Sequence, residues 1–248
     1  MSCAIFTMSI DDGHPLDMRM AEMLLKHELQ ATFYIPNKNC EGNPVLSTPE
    51  LRELSNNFEI GSHTRSHKFL KKISITEALY EINKGKNLLE EQLGYPVQGF
   101  CYPGGSYQPM HCKMVRSAGF TYARTIQNLR IDAGNNPFEL PTTLQFYPHS
   151  RTVLLRNFIS QHDWDKRKEV FSKLLTEQDW LERLFILFDY ACSRGGIFHL
   201  WCHSIDIDQL GIWKKLDEFL NFVAYKTNPV LRMNNFHIVK NYCDVNSI

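Results

Sequence analysis

Adjacent carboxylates follow the first apolar run of the sequence. Asp11 and Asp12 come directly after residues 4–10 and are followed by Gly13. An Asp-Asp-Gly triplet is often a solvated turn. Beside a buried strand, however, two like charges repel each other, and a cation or a proton is needed to relieve that repulsion. A turn and a cation site are therefore the two interpretations of this triplet.

Two histidines spaced four residues apart follow another apolar run. His63 and His67 come after residues 58–60, in the segment GSHTRSH at 61–67. On a loop that leads into a helical turn, this spacing can aim both imidazoles at one point, and neutral imidazole is a common ligand of zinc and similar ions. A lone histidine would be an ordinary surface or core residue. The pair, with carboxylates at another strand end, favours a divalent metal site.

Two later segments add groups suited to oxyanion binding and to proton transfer. Residues 100–107, FCYPGGSY, carry a strand into a Pro-Gly-Gly turn, which could be no more than a tight corner. Glycine at this turn would also let a backbone N–H approach a substrate closely, as an oxyanion site requires. The apolar run 196–202 ends directly before His203, so this histidine follows its strand as the earlier candidates do.

Between these groups, strand-like and helical patterns alternate along the chain. Short continuous apolar runs are typical of strands covered on both faces, and they occur at 4–10, 31–35, 58–60, 97–102, 120–123, 143–147 and 196–202. Helical periodicity occurs at 16–27, 48–56, 74–93, 110–118, 178–193 and 208–225, with a weaker helical pattern at 149–176 and a loop composition at 127–141. The alternation predicts a parallel α/β sheet, doubly wound or closed as a barrel, with chemistry at the carboxyl ends of its strands.

Size and charge narrow the class of protein. The chain has 248 residues and a hydrophobic fraction of 43%, which suits one α/β barrel and predicts a single domain over residues 1–248. The formal net charge is +0, so no bulk positive field is available to bind phosphate backbones or anionic lipid. Nucleic acid and membrane surfaces are therefore disfavoured as partners, and the oligomeric state is left open.

The sequence also gives expectations for the cellular location of the protein and for the redox state of its cysteines. No run approaches the roughly eighteen apolar residues that a transmembrane helix needs, and the first residues lack the pattern of a signal peptide. We expect a cytoplasmic enzyme, the alternative being an export signal removed from the sequence. Seven cysteines, an odd number, indicate reduced thiols. Cys101 and Cys202 lie beside the motifs and are expected to be small buried hydrophobic residues.

Taken in order, these motifs resemble those of the polysaccharide deacetylase (NodB-homology) family. The resemblance rests on the Asp-Asp-Gly after the first strand, the His-Thr segment with its second histidine, the Tyr-Pro-x-Gly turn and the late strand that ends in histidine. It covers the chain from Phe6 to His203. It implies a distorted (β/α)7 barrel and a metal-dependent hydrolase that removes an N-acetyl group from an amino sugar or glycan. One divalent ion is implied, with Zn2+ expected first and Co2+, Ni2+ or Mn2+ as alternatives.

The resemblance also implies roles for the paired motifs. Asp11 falls at the position of the family's general base and Asp12 at that of its carboxylate ligand. His63 and His67 fall at the two histidine ligands, with Thr64 in the family's Ser/Thr position. Three protein ligands would leave coordination positions open for water and substrate.

The remaining motifs imply the groups that would touch substrate. His203 falls at the general acid, which would protonate the leaving amine. Gly104 falls where the family's Pro turn supplies a backbone donor for the oxyanion. The residues expected to bind substrate are Tyr102, Pro103, Gly104, Gly105, His14 and Trp201.

The sequence departs from the family pattern at two places. Many members carry an arginine that orients the base where this chain has Cys101, and we suggest that Arg124, after the next strand, takes over that role. The alternative is an ordinary surface arginine. Trp201 stands where the family has leucine, and it would stack on a sugar, narrow the acetyl pocket or simply pack in the core. His199 is expected to be a core histidine.

Three other functions compete with deacetylation of an amino sugar. The same groups would suit hydrolysis of O-acetyl esters, formamides or other C–N bonds. A catalytically inactive sugar-binding module would be expected to lack a base, ligand or acid, and each of these is present. A purely structural metal site would close its shell with cysteine at short spacing, which the histidine pair does not have.

Overall fold

The structure, a computed structural model, describes residues 3–175 and 177–243. Within these residues, seven parallel strands form one sheet in the order β5-β4-β3-β2-β1-β7-β6. The strands are β1 Ile5–Asp11, β2 Thr32–Ile35, β3 Glu59–Ser62, β4 Gly99–Cys101, β5 Tyr122–Arg124, β6 Leu144–Gln145 and β7 Ile197–Cys202. The predicted seven-stranded parallel α/β fold is confirmed. The ends of each strand differ by at most two residues from the ends of the apolar run that predicted it.

Ten α-helices connect and cover the strands in the same described part of the chain. They are α1 Asp17–Lys26, α2 Thr48–Ser55, α3 Ile75–Leu93, α4 Pro109–Ser117, α5 Arg151–Ser160, α6 Trp164–Leu174, α7 Trp180–Arg194, α8 Ser204–Gln209, α9 Trp213–Lys226 and α10 Asn235–Tyr242. None of these helices is long and apolar enough to cross a membrane.

The helices differ from the sequence prediction in three places. The segment 149–176 forms two helices, α5 and α6, and its last residue, Thr176, lies outside the described residues. The single helix predicted over 208–225 is instead α8 and α9, because Gly211 adopts a left-handed φ of 64° between them. Helix α10 was not predicted, since its eight residues carry too short a periodic pattern.

The sheet curls into an incomplete barrel. In a flat sheet β5 and β7 would be far apart, yet the Arg124 guanidinium at the end of β5 lies 5.3 Å from the Trp201 ring centroid on β7. The chain after β5 spans the remaining gap, where Leu140 donates its N–H to the Ala123 carbonyl at 2.9 Å. Thr143 likewise donates to the His199 carbonyl at 2.8 Å. The carboxyl ends of β5, β1 and β7 thereby face one another.

Alternate side chains of β1 point to the outside and to the inside of this barrel. Phe6, Met8 and Ile10 join the apolar core between sheet and helices. Thr7, Ser9 and Asp11 point inward and make buried hydrogen bonds there. Because successive side chains of a strand point to opposite faces, Asp11 enters the barrel whereas Asp12 starts the loop above it.

Asn235, the first residue of α10, fills the barrel interior. Its amide donates to Ser9 Oγ at 2.8 Å and to Tyr34 Oη at 2.9 Å, and its carbonyl oxygen accepts from Thr7 Oγ1 at 2.8 Å. Its backbone N–H donates to Thr32 Oγ1 at 2.9 Å. The side chain is fully buried, so α10 is fixed to the inside of β1 and β2.

Replacing Asn235 with alanine is expected to lower the free energy of unfolding by about 3 kcal/mol, because Thr7, Ser9 and Tyr34 each lose a buried partner. Urea denaturation measures the change. Lys240→Ala, on the exposed side of the same helix, is the matched control and should leave stability within about 0.5 kcal/mol. Equal stabilities of the two variants would show that the buried hydrogen bonds of Asn235 do not stabilise the fold.

Candidate active site

The two carboxylates at the end of β1 point to different surroundings because the chain turns sharply between them. Asp11 is the last residue of the strand, and Asp12 has a left-handed φ of 79°. Aspartate tolerates this conformation better than most residues do. The Asp11 carboxylate therefore lies within the barrel, while that of Asp12 turns toward the loop after β3.

His63 and His67 meet Asp12 above the barrel. Asp12 Oδ1 lies 3.1 Å from His67 Nε2 and 3.5 Å from His63 Nε2. The two imidazole centroids are 5.0 Å apart. The structure thus brings together the three residues that the sequence predicts as metal ligands.

Helix α3 holds the loop between the two histidines in place. Glu81 accepts the Ser66 N–H at 2.7 Å and the Ser66 hydroxyl at 2.6 Å through its carboxylate. Gly85 lets the loop lie against the helix, since a Cβ there would be 2.7 Å from the Arg65 nitrogen. Sequence reasoning missed both residues, because neither follows a strand.

The imidazole of His63 is oriented by the neighbouring strand. Its Nδ1 is 2.9 Å from the Cys101 carbonyl oxygen, an acceptor, so Nδ1 carries a proton and Nε2 faces Asp12. A second hydrogen bond of this kind fixes the ring and tautomer of metal-binding histidines. His67 Nδ1 faces Glu41 Oε1 at a longer distance, 3.8 Å.

These three side chains fit a divalent cation. One ligand atom from each lies within 4.8 Å of the others. Asp12 Oδ1 is buried, and among the described residues it makes no hydrogen bond, although it faces both imidazoles. An unsatisfied buried carboxylate oxygen between two imidazole nitrogens is what a cation would stabilise.

The pKa shifts of Asp12 and His67 are also consistent with a cation site. Burial raises the pKa of Asp12, but the neighbouring imidazoles of His63, His67 and His203 outweigh it and hold this pKa well below its usual range. Burial lowers the pKa of His67, and the Asp12 carboxylate outweighs that effect and raises it. Protonation of His67 is thus favoured beside Asp12 in the metal-free protein, and a bound cation would displace that proton.

Arg124 pairs with the candidate base. Its Nη2 donates to Asp11 Oδ1, and the side chains are 0% and 4% exposed. The guanidinium also lies 5.3 Å from the ring centroids of both Tyr34 and Trp201. The interpretation of Arg124 as a surface residue is therefore wrong. Its effect on catalysis stays a prediction.

His203 is held close to the same centre by a partner on α8. Its Nε2 lies 4.0 Å from Asp12 Oδ2, and its Nδ1 lies 2.8 Å from Asp206 Oδ2. Burial lowers the pKa of His203, but the Asp206 hydrogen bond and the charges of Asp12 and Asp11 outweigh it and raise the pKa to about 9. His203 is therefore protonated at neutral pH, as a general acid must be.

Asp206 is a site residue that sequence reasoning missed. The signal was available, since an acid three residues after a histidine shares its side of a helical turn. Ser204, between them, donates its hydroxyl to the fully buried Asp17 at 2.5 Å. Burial raises the pKa of Asp17 well above its usual range, and its hydrogen bond with Ser204 ties α1 to α8.

Asp206→Asn is expected to lower the pKa of His203, because the largest favourable contact of the imidazolium is lost. In the metal-free protein, NMR titration should give a His203 pKa of about 9 and a lower value in the variant. Turnover by a protonated acid is lost as pH rises through its pKa, so the basic limb of kcat/KM should move to lower pH. Asp208→Asn, on the same helix, is the control, and an unchanged basic limb in Asp206→Asn would contradict the pairing.

The Pro turn presents one free backbone donor. Gly104 is exposed and has a left-handed φ of 57°, and a Cβ there would meet the Phe69 ring at 3.0 Å. Gly105 donates its N–H to the Tyr102 carbonyl at 2.9 Å and Ser106 donates to that of Pro103 at 3.0 Å. No acceptor for the Gly104 N–H is found among the described residues. This N–H is therefore available to an oxyanion.

The side chain of Tyr102 lies away from the site. Its ring is fully buried and stacks on Tyr107 with centroids 4.4 Å apart, and its hydroxyl donates to the Phe138 carbonyl at 3.1 Å. Pro103 is buried as well. Any contact of these two residues with substrate would have to come from their backbone, and their role in substrate binding stays a prediction.

His14 and Trp201 remain candidates for substrate contact. Trp201 is partly exposed, and its ring centroid lies 5.5 Å from that of His203, beside the Arg124 guanidinium. His14 is also partly exposed, and its Nδ1 accepts the Leu16 N–H at 3.1 Å, which leaves its other ring nitrogen free.

His199 and the two cysteines beside the motifs are core residues, as expected. His199 lies 2.7 Å from Ser9 Oγ through Nε2 and 2.8 Å from the Pro141 carbonyl oxygen through Nδ1. Burial and the charge of Arg124 lower its pKa to about 3, so it is neutral. Cys101 and Cys202 are free thiols and each is 1% exposed.

Fold and site define an α/β barrel protein with a candidate metal centre and an acid–base pair at the carboxyl ends of its strands. Residues 2–123 match the polysaccharide deacetylase family model, so this part of the chain is similar to that family. The matched segment contains Asp11, Asp12, His63 and His67, whereas His203 lies beyond it.

Two individual relatives are similar to this chain over shorter stretches. Bacillus subtilis YlxY, an uncharacterised protein, is 26% identical over 105 residues, which are 42% of this chain and 31% of YlxY. The peptidoglycan-N-acetylmuramic acid deacetylase PdaC of the same organism is 32% identical over 95 residues, 37% of this chain and 19% of PdaC. The chain thus spans less than a third of either relative.

A solved structure from Mycobacterium smegmatis is similar over most of the fold. It has a TM-score of 0.61 and 15% sequence identity, and the match covers 89% of this chain and 84% of that one. At this identity the likeness shows the shared barrel alone.

Proposed function

We propose that the protein is a divalent-metal-dependent deacetylase that removes the N-acetyl group of an amino sugar or glycan and releases acetate. The observation that carries the proposal is the convergence of Asp12, His63 and His67 beside an ion-paired carboxylate and a protonated histidine. The match of residues 2–123 to the polysaccharide deacetylase family model and the similarity to PdaC support the same reaction class.

Asp12, His63 and His67 would hold the ion. A carboxylate and two imidazoles suit Zn2+, with Co2+, Ni2+ and Mn2+ as alternatives. When bound, such an ion polarises the acyl carbonyl and makes the attacking water more acidic.

Asp11 would accept the proton of the attacking water. Arg124 occupies Asp11 Oδ1, so Oδ2 is the oxygen left to act as the base. The ion pair also gives the buried carboxylate a partner of opposite charge. The Gly104 N–H would stabilise the negative charge that develops on the acyl oxygen during attack.

His203 would complete the reaction by donating its Nε2 proton to the leaving nitrogen. Asp206 holds Nδ1, so the imidazole turns its other nitrogen toward the centre that Asp12 occupies. Protonation allows the C–N bond to break with release of a neutral amine and acetate. Trp201, beside His203, is positioned to border the acyl group or a sugar ring.

The proposal is tested by measuring acetate release from a panel of acetylated amino sugars and glycans by the metal-reconstituted protein. Asp11→Asn, which keeps the volume of the side chain, should be inactive with metal content unchanged. Asp165→Asn, at a residue whose side chain is 97% exposed, is the matched control and should keep full activity.

O-acetyl esters and N-formyl sugars belong in the same panel. Release from these alone would favour the rival hydrolase, and no release from any substrate by metal-loaded protein would favour an inactive sugar-binding module. A cytoplasmic location and a single domain over residues 1–248 stay predictions.

A further inference from the structure

Two cysteines far apart in the sequence touch outside the active site. Cys3 lies directly before β1 and Cys192 in the last turns of α7, and their sulfur atoms are 3.4 Å apart. Both side chains are partly exposed. A pair of thiols in contact and open to solvent differs from the buried single thiols of Cys101 and Cys202.

Backbone contacts hold both sulfur atoms in this arrangement. The Ala4 N–H donates to Cys192 Sγ at 3.2 Å. Cys3 Sγ donates to the Lys226 carbonyl at 2.8 Å. Strand β1 pairs with β7, which follows α7 after two residues, so the two cysteines sit on elements that the sheet already joins.

We propose that Cys3 and Cys192 form a reversible disulfide when the folded protein meets a small-molecule disulfide such as oxidised glutathione. The sulfurs need to move closer by little more than an ångström to reach a bonding distance of about 2 Å. Cys3 precedes β1 and lies outside the sheet, so it can supply that movement without disturbing the barrel.

The exchange proceeds in two displacements. Burial and the neighbouring Cys3 thiol raise the pKa of Cys192 to about 11, so at neutral pH Cys192 is a thiol and the reaction begins at Cys3. The Cys3 thiolate attacks one glutathione sulfur, the glutathione disulfide bond breaks, and one glutathione leaves. Cys192 then loses its proton and attacks Cys3 Sγ, which releases the second glutathione. Two protein thiols are oxidised and one glutathione disulfide is reduced to two thiols.

The cross-link would tie the start of β1 to α7 across 189 positions of sequence. A disulfide that closes a long loop restricts the unfolded chain, so the oxidised protein should have a Tm about 5 °C or more above that of the reduced protein. The link touches none of the proposed catalytic residues, and the inference therefore stands independently of the proposed function.

The test uses the full chain treated with oxidised glutathione or with dithiothreitol at mildly alkaline pH. Peptide mapping without reduction should find a Cys3–Cys192 cross-linked peptide in the oxidised sample, and the Tm should rise. Cys3→Ser and Cys192→Ser should each abolish both effects. Cys40→Ser, at an exposed single cysteine, is the matched control and should keep them.

One result would overturn the proposal. If Cys40 becomes glutathionylated under the same conditions while Cys3 and Cys192 are recovered only as free thiols or as separate glutathione adducts, the two sulfurs do not exchange with each other. Because Cys40 reports that the oxidant was active, such a result could not be attributed to a failed oxidation.

Discussion

Replacing His63 or His67 with alanine is expected to remove the bound metal and to lower acetate release by about a thousandfold or more. Each histidine supplies one of three ligand atoms that lie within 4.8 Å of one another. Loss of one leaves two ligands, too few to retain a divalent ion against the surrounding water. Without the ion the acyl carbonyl is no longer polarised, and several kcal/mol of transition-state stabilisation disappear.

Metal content and activity should be measured together in these variants. His162→Ala, at an exposed residue outside the site, is the matched control and should keep both. Circular dichroism establishes that each variant is folded. A His63→Ala protein with full metal content would show that the ion binds elsewhere, whereas full activity without metal would refute metal dependence itself.

Much of this site could be predicted because parallel strands place their following residues at one edge of the sheet. Asp11, Asp12, His63 and His203 all come directly after apolar runs, so strand prediction alone brought them together. His67 needed one step more, the loop spacing of the histidine pair. What periodicity could not give was the left-handed φ of 57° at His67 and 65° at Thr64, which turns both imidazoles toward Asp12.

The residues that escaped prediction act across long distances in sequence. Asn235 lies 226 residues from Ser9, its hydrogen-bond partner, and a short helix near the end of the described chain gives no sign of entering a barrel. Glu81 orients a loop and Asp17 binds the start of α8, both from within helices, where an acidic residue looks like any solvated one. Their burial depends on packing, and packing is decided by the whole fold.

That Arg124 points inward was a hypothesis, made because Cys101 stands where many family members carry an arginine. The strand end predicted where Arg124 stands, but its contact with Asp11 requires the curl that brings β5 opposite β1. Cys101, at the position where many family members have arginine, lies with its sulfur 4.0 Å from Asp11 Oδ2. The end of β4 therefore carries no charged partner for Asp11, and Arg124 at the end of the neighbouring strand β5 supplies that charge.

Replacing Arg124 with methionine is expected to reduce turnover by about a hundredfold and to destabilise the fold by roughly 3–5 kcal/mol, since it leaves the Asp11 charge buried without a partner. Burial lowers the pKa of Arg124, but the charge of Asp11 outweighs it and raises this pKa further, so the guanidinium is charged at neutral pH.

A double variant separates the catalytic effect of the pair from its effect on stability. The double variant Asp11→Asn with Arg124→Met removes both charges. Its unfolding free energy, measured in urea, should therefore recover much of what Arg124→Met alone loses, while acetate release should be absent, as in Asp11→Asn alone. Metal content should remain near that of the wild type in the double variant and in both single variants, because the proposed ligands are Asp12, His63 and His67. If Arg124→Met alone kept full turnover, Arg124 would be a structural counter-charge without any part in positioning the base.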